Sequence, residues 1–197
     1  CDRRQRQMCI RDRVGEDGVT HHGVFDMAAF GAVPGLTIAA PMNEPELRNM
    51  MYTALGSGHP FMIRYPRGHG EGLPWRGEKF ETLPVGRGRR LREGADVALL
   101  TVGTVGNAAA RAAGRAAAEG VSVAHYDLRF VKPLDEALLD EVGRKFRRVV
   151  TVEDGSLRGG VGEAVTAFFN ARGCEVAVHS LGIGDEWVEH GTPAQLY

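Results

Sequence analysis

The 197 residues are 43% hydrophobic and 25% charged, with 24 Lys and Arg against 25 Asp and Glu, for a net charge of −1. A chain of this length buries a real core as one large domain or two small ones. Near-neutrality argues against nucleic acid or a membrane surface as a partner, since both demand a basic excess, and no apolar run approaches the ~20 residues of a membrane span. Three cysteines, Cys1, Cys9 and Cys174, form neither an even set nor a CxxC pair, which fits a reducing cytoplasm.

Residues 1–13, CDRRQRQMCIRDR, are a basic, polar run without helical or strand period and are expected to be non-native or a disordered arm. VGEDGVTHHGVFD follows, from Val14 to Asp26, and Phe25 to Phe30 is long enough for a helical turn or two. Thr37 to Ala40 reads as a short strand closed by Pro41. Asn43 with Glu46 forms a capping box, and Leu47, Met50, Met51, Ala54 and Leu55 mark one face of an amphipathic helix. Phe61 to Tyr65 is the next strand, leading into Pro66-Arg67-Gly68. Residues 68–86 shift to Gly, Pro and charge, with Trp75 and Phe80 as isolated anchors, and read as a linker partly pinned to a surface.

A more regular unit spans 87–197. The charge run RGRRLRE from Arg87 reads as a solvated lead-in. Strands at Val97–Val102, Val121–Tyr126, Val149–Val152 and Glu175–His179 alternate with helices at about Gly106–Glu119, after the Asp135 cap, and from GGVG through Phe169. Fully apolar strands alternating with helices predict a parallel sheet covered on both faces. The chain is therefore expected to be α/β: residues 14–67 as the tail of one domain, then a compact α/β domain over 87–197. GTPAQLY falls inside what reads as a new helix start, so both ends are expected to be truncated.

Two acids, two adjacent histidines and three glycines within Val14–Asp26 point to binding or proton transfer. His21, His22 and Asp17 as metal ligands is one reading, although zinc sites usually want three or four ligands at recognisable spacings. A structural role, with both imidazoles hydrogen-bonded in a polar loop, is a second; substrate contact or proton transfer by one imidazole is a third. In RYPRG, Arg64 lies inside the strand and reads as a partly buried ion-pair partner. Arg67 leaves the strand at its carboxyl end, where open α/β sheets place ligands, with a fork suited to phosphate or carboxylate; a solvated surface arginine is the alternative. GGVG, Gly159–Gly162, lacks the full dinucleotide pattern and reads as close helix–sheet packing, with Glu153 and Asp154 as exposed acids at the strand end.

VGEDGVTHHGVFD followed by PMNEPELRNMMYTA, RYPRG, LPVGRG, RFVKPLD, TVEDGSLRGGVG and VEHGTPAQL closely resembles the 1-deoxy-D-xylulose-5-phosphate synthase family of transketolase-like enzymes, over about residues 14–197. The resemblance implies that 14–67 is the C-terminal part of a central, pyrimidine-binding α/β domain. It implies that 87–197 is a transketolase C-terminal-like three-layer α/β domain with a mostly parallel sheet. It also implies thiamine diphosphate and Mg²⁺ as cofactors, pyruvate and D-glyceraldehyde 3-phosphate as substrates, and a homodimer in the cytoplasm. By the same resemblance His21 is the active-site histidine of the THxG segment, Asp17 a substrate-binding acid, and Arg67 the arginine holding the sugar phosphate. The family's metal–diphosphate motif and activating glutamate have no counterpart here, and the role of its DRAG-type arginine does not transfer to Arg13. Alternatives are a β-type subunit of a 2-oxo-acid dehydrogenase E1 component, or a stand-alone α/β binding or assembly module.

Overall fold

The computed structural model describes residues 22–67, 70–77, 79–189 and 191, together with the backbone strand at 7–12. Among the described residues the strands form two sheets. The first has the order β1-β3-β2-β7, with β1 at Gln7–Asp12, β2 at Thr37–Ala39, β3 at Phe61–Pro66 and β7 at Phe130–Lys132. β1 and β2 run parallel to β3 on either side of it, while β7 is antiparallel to β2. Ile38, Met62 and Ile63 are fully buried, the continuous apolar pattern of strands covered on both faces.

Helix α1 (Asp26–Gly31) follows a single 3-10 turn at Gly23–Phe25, and α2 (Glu44–Gly56) links β2 to β3. Asn43 caps α2, its side chain accepting from the Glu46 amide at 3.1 Å. The Glu46 carboxylate does not close the reciprocal half of the box. It accepts from the Met42 amide one residue earlier, at 3.1 Å, and turns its other oxygen elsewhere. Met50 and Ala54 face the core as their period requires, whereas Leu55 is 56% exposed because the apolar stripe drifts off the buried face in the last turn.

The second sheet has the order β4-β6-β5-β8-β9, built from β4 (Arg89–Arg92), β5 (Val97–Val102), β6 (Val123–Asp127), β8 (Arg148–Ser156) and β9 (Ala177–Ile183). All its pairings are parallel except β4 with β6. Ala98, Leu100 and Val102 of β5 point to the layer of α4 (Glu136–Lys145) and α5 (Val161–Ala171), where Leu139, Val165 and Phe169 are buried with them. Leu99 points the other way, onto Ala109 and Ala113 of α3 (Val105–Ala118). The result is the expected three-layer α/β arrangement with a mostly parallel sheet.

Several expectations need correction. Residues 7–12 were expected within a non-native or disordered arm, yet they form β1, with Gln7 opposite Phe61 and Asp12 opposite Pro66. Met8, Cys9 and Ile10 are too short an apolar run to show a period, and pairing along β3 supplies the order that local sequence lacks. The lead-in from Arg87 contains β4, whose charged residues blunt a sheet edge. Phe80 is 59% exposed and stacks on Tyr52, and the residue that pins this segment is Leu83, 7% exposed, with its amide donating to Thr53 Oγ1 at 2.8 Å. β8 runs on through Glu153 and Asp154, each 3% exposed, so neither is an exposed-edge acid. Glu153 Oε2 and Oε1 accept from the Val161 and Gly162 amides at 3.0 and 2.9 Å and cap α5 from inside the protein. A Cβ on Gly162 would stand 2.3 Å from Ser180 Oγ, which gives GGVG its packing role.

β7, absent from the sequence-based elements, joins the first sheet although it lies between β6 and α4 in the chain. Phe130 on it is fully buried, 6.3 Å from the Phe61 ring in an edge-on contact. The Phe130→Ala substitution should therefore cost about 3–5 kcal/mol. Hydrogen exchange should show amides of both sheets loosening together; protection lost in the second sheet alone would contradict this coupling.

Candidate active site

Parallel β1, β3 and β2 bring their carboxyl ends to one edge of the first sheet. Asp12 pairs with Pro66 there, and Arg67, exposed, follows at once. The chain leaving Asp12 carries Asp17 and His21, both outside the described residues, and re-enters the described structure at His22. The structure thus places Arg67 next to the start of the segment that bears the other two expected site residues. This is the crevice position that open α/β sheets use for ligands.

The far end of that segment is fixed by Arg64. Its side chain is 2% exposed in the middle of β3. Nε and Nη2 donate to Gly23 O at 3.1 and 3.0 Å, and Nη2 also donates to Asp154 O on β8. Arg64 is thus more deeply buried than the expected partly buried ion-pair role implies, and main-chain carbonyls are among its partners. His22, 7% exposed, precedes the 3-10 turn, and its Nε2 lies 3.3 Å from Glu189 O. A carbonyl accepts only, so Nε2 carries the hydrogen; in the neutral ring Nδ1 is then an acceptor, and it is buried without a hydrogen-bond partner. Burial raises the Asp26 carboxyl above the ordinary range, against the pull of the Arg64 guanidinium. Burial also raises Glu153, with the Gly162 and Val161 amides and Arg64 pulling the other way.

A second polar centre lies where the two sheets meet. Glu46 Oε1, on a residue 4% exposed, accepts from Arg129 Nε at 2.6 Å and Arg89 Nη2 at 2.8 Å. Arg89 also reaches Asp127 Oδ2 at 3.1 Å, and Asp127 Oδ1 accepts from the Arg129 amide at 3.1 Å. That last bond holds Arg129 at a φ of +58°, a left-handed conformation that costs a non-glycine residue on the order of 1–2 kcal/mol. Above the cluster opens a cavity of about 460 Å³ that Arg48, Lys79 and Glu81 also line. Desolvation, then the neighbouring Glu46 charge, pushes the Asp127 carboxyl up to about 7, against Arg89 and Arg129. His125, paired with Thr101 Oγ1 at 2.9 Å, is driven down to about 4 by burial and then by Arg89.

None of these junction residues was singled out from sequence. Glu46 was visible only as half of a capping box, and Arg129 only within RFVKPLD. Among the described residues no group of three or more His, Cys, Asp or Glu could hold a metal ion. The described part of the chain therefore does not fit the Mg²⁺–diphosphate end of the implied cofactor. Its one orphaned buried polar atom in this region is His22 Nδ1.

Asp127 generates a pH prediction. A carboxyl raised to about 7 in the folded protein from 3.8 keeps its proton where the unfolded chain has lost it. Stability therefore falls as pH rises from about 4 to about 7, by at most ~1.4 kcal/mol per unit, and levels off above. Asp127→Asn should flatten that slope in melting curves recorded from pH 5 to 8. An unchanged slope would show that Asp127 is ionised throughout.

The family model "Transketolase, C-terminal domain" matches residues 86–197, and "Transketolase, pyrimidine binding domain" matches residues 4–71, β1 included. The 1-deoxy-D-xylulose-5-phosphate synthases of Bacteroides fragilis and Bacteroides thetaiotaomicron are each 54% identical over 186 residues, covering 93% of this chain and 28% and 29% of theirs. That of Symbiobacterium thermophilum is 46% identical over 186 residues, 93% of this chain and 28% of its own. The chain thus spans less than a third of the length of these curated relatives. Among solved structures it is similar to one described as "Split gene transketolase, inactive beta4 tetramer", with a TM-score of 0.81, 27% identity, and coverage of 96% of this chain and 59% of that one. With its C-terminal model covering more than half of the sequence and both domain types matched in order, the chain belongs to the transketolase family.

Proposed function

We propose that this chain is a portion of a transferase that joins pyruvate to D-glyceraldehyde 3-phosphate with loss of CO₂, giving 1-deoxy-D-xylulose 5-phosphate, the first step of the methylerythritol phosphate isoprenoid route. The observation that carries the reading is 54% identity over 93% of the chain to relatives named for that synthesis. RYPRG beside THHG supports it over a 2-oxo-acid dehydrogenase subunit, in which the two are not expected together. The complete enzyme is proposed to be a cytoplasmic homodimer that uses thiamine diphosphate and Mg²⁺. The 68–86 segment is proposed as the linker between its central and C-terminal domains. No described helix is long and apolar enough to cross a membrane.

Thiamine diphosphate would supply the carbon chemistry on pyruvate, and the residues of this chain are proposed to serve the second substrate. Arg67, exposed at the carboxyl end of β3, has the planar fork that takes two phosphate oxygens at once. Gripping the phosphate orients the remote aldehyde carbon, so binding energy away from the reacting atom lowers the barrier at it. His21 is proposed to pass a proton to or from the substrate oxygen, with Asp17 as a polar contact in the same segment. Alone, this chain is proposed to be inactive. The solved structure similar over 96% of this chain, described as an inactive β4 tetramer, supports that.

The test is made in the complete enzyme that contains this chain. Arg67→Ala should raise KM for glyceraldehyde 3-phosphate at least ~10-fold while leaving KM for pyruvate and the reaction with unphosphorylated glyceraldehyde nearly unchanged. Arg67→Lys should recover part of the loss, because the charge stays and the fork does not. Equal weakening of both acceptors would remove the phosphate assignment. His21→Ala should lower kcat roughly 10²-fold or more, and by more than His22→Ala; the reverse order would exchange the two imidazoles' roles.

A further inference from the structure

We infer that Arg64 is a positioning residue, a strut that locks the peptide following His22 against β8 and on which the proposed role of the histidine pair depends. The inference rests on the proposed role of His21 and adds to it a second residue, one that acts through the first.

The geometry carries the argument. Arg64 follows Phe61, Met62 and Ile63, none more than 1% exposed, and is itself 2% exposed, so its charge is out of water. A guanidinium is retained in such a place only when its donors are satisfied. Two of them converge on a single carbonyl, Gly23 O, at 3.1 and 3.0 Å, and Nη2 also meets Asp154 O on β8. Gly23 O is also the acceptor for the Asp26 amide that closes the 3-10 turn. Arg64 therefore grips the first peptide after His22 from one side, while His22 is tied on the other side to Glu189 O. The two ties reach different parts of the C-terminal unit. With the segment anchored at Asp12 through β1 and at Gly23 through Arg64, its ends are held on adjoining strands of one sheet. Arg67 is exposed and is the residue proposed to take the phosphate, whereas Arg64, three residues earlier, donates to main-chain carbonyls. The two arginines of RYPRG thus divide the work. Lysine is a poor substitute for Arg64, because a single ammonium lacks the planar fork that brings Nε–H and Nη2–H onto one carbonyl while Nη2 reaches a second.

Four measurements test this. In the unmutated protein the Arg64 Nε–H should exchange with solvent slowly by NMR, at least ~10-fold slower than in an exposed arginine; rapid exchange would overturn the strut outright and requires no variant to fold. In the complete enzyme, Arg64→Lys should lower kcat at least ~10-fold with both KM values within about 3-fold, as expected when a catalytic group is displaced rather than a binding contact removed. Added guanidinium should restore part of kcat to Arg64→Ala and none to His21→Ala; a variant that is merely less stable would show no such rescue, and its absence would refute the positioning role. Amides of Gly23–Met27 should exchange faster in Arg64→Lys while those of Leu99–Thr101 hold, and uniform acceleration would count against it. Should the unmutated enzyme fail to turn over pyruvate and glyceraldehyde 3-phosphate, the proposed reaction falls, and the Nε–H and amide exchange results still decide whether Arg64 is the strut.

Discussion

The arrangement of the two sheets depends on one buried carboxylate. Glu46 sits in the first turn of α2, accepts from the Met42 amide, and is shared by two guanidinium groups from the C-terminal unit, Arg89 and Arg129. Asp127 supplies a second acid, so two carboxylates face two arginines where water is largely excluded. Such a cluster adds little net stability, because desolvating its charged groups consumes most of their attraction, but removing one member leaves the others uncompensated at a cost of about 3–5 kcal/mol. Its effect is specificity of docking. The first turn of α2 can meet β4 and the β6–β7 corner in one register only, and Arg129 accepts a left-handed backbone to stay there. Immediately after Arg129, β7 enters the first sheet beside β2, so the electrostatic and the hydrogen-bonded links between the two units are adjacent in the chain.

This docking also underlies the edge of the first sheet proposed as a site. Arg64 reaches from β3 to Asp154 O on β8, a distance it can span only if the sheets are held together. The same guanidinium holds Gly23 O, and so the junction sets where the histidine segment ends. Met27 and Ala40, from the first unit, are buried in the same apolar cluster as Leu100 and Val102 of β5, which makes the contact between the units partly core. A change at Glu46 therefore propagates to the site through rigid elements rather than through direct contact with a ligand.

The regular part of the fold was legible in the sequence because its signals are local. β5, α3, α4 and the Asn43 cap follow from apolar runs, helical periodicity and capping chemistry, and each appears within two residues of its expected place. β1, β4 and β7 were not legible. Each is short, charged or set between turns, and each is ordered by a partner strand distant in sequence. The site divides in the same way. RYPRG and THHG stand out as motifs, whereas the grip of Arg64 on Gly23 O crosses 41 positions and the Arg129–Glu46 pair crosses 83. Residue type marks a candidate for chemistry, and only the fold shows that Arg64 donates to the main chain while Arg67 is exposed.

The glycine-rich GGVG segment shows how a helix N-terminus can be closed to an external anion. A helix N-terminus after a strand is the usual place for a phosphate, since its free amides and dipole favour an anion. Here the anion is the protein's own: Glu153 accepts from the Val161 and Gly162 amides, and a Cβ at Gly160 would stand 2.6 Å from its Oε2. Gly162 is closed on its other side by Ser180. A phosphate entering there would have to expel a buried carboxylate that already satisfies both donors, exchanging one set of charge-assisted bonds for another while stranding Glu153 in an apolar core. At the carboxyl end of β3, by contrast, Arg67 is exposed to solvent. The amides at the start of α5 are thus committed to structural support of the second sheet, which leaves the edge of the first sheet as the place proposed for the sugar phosphate.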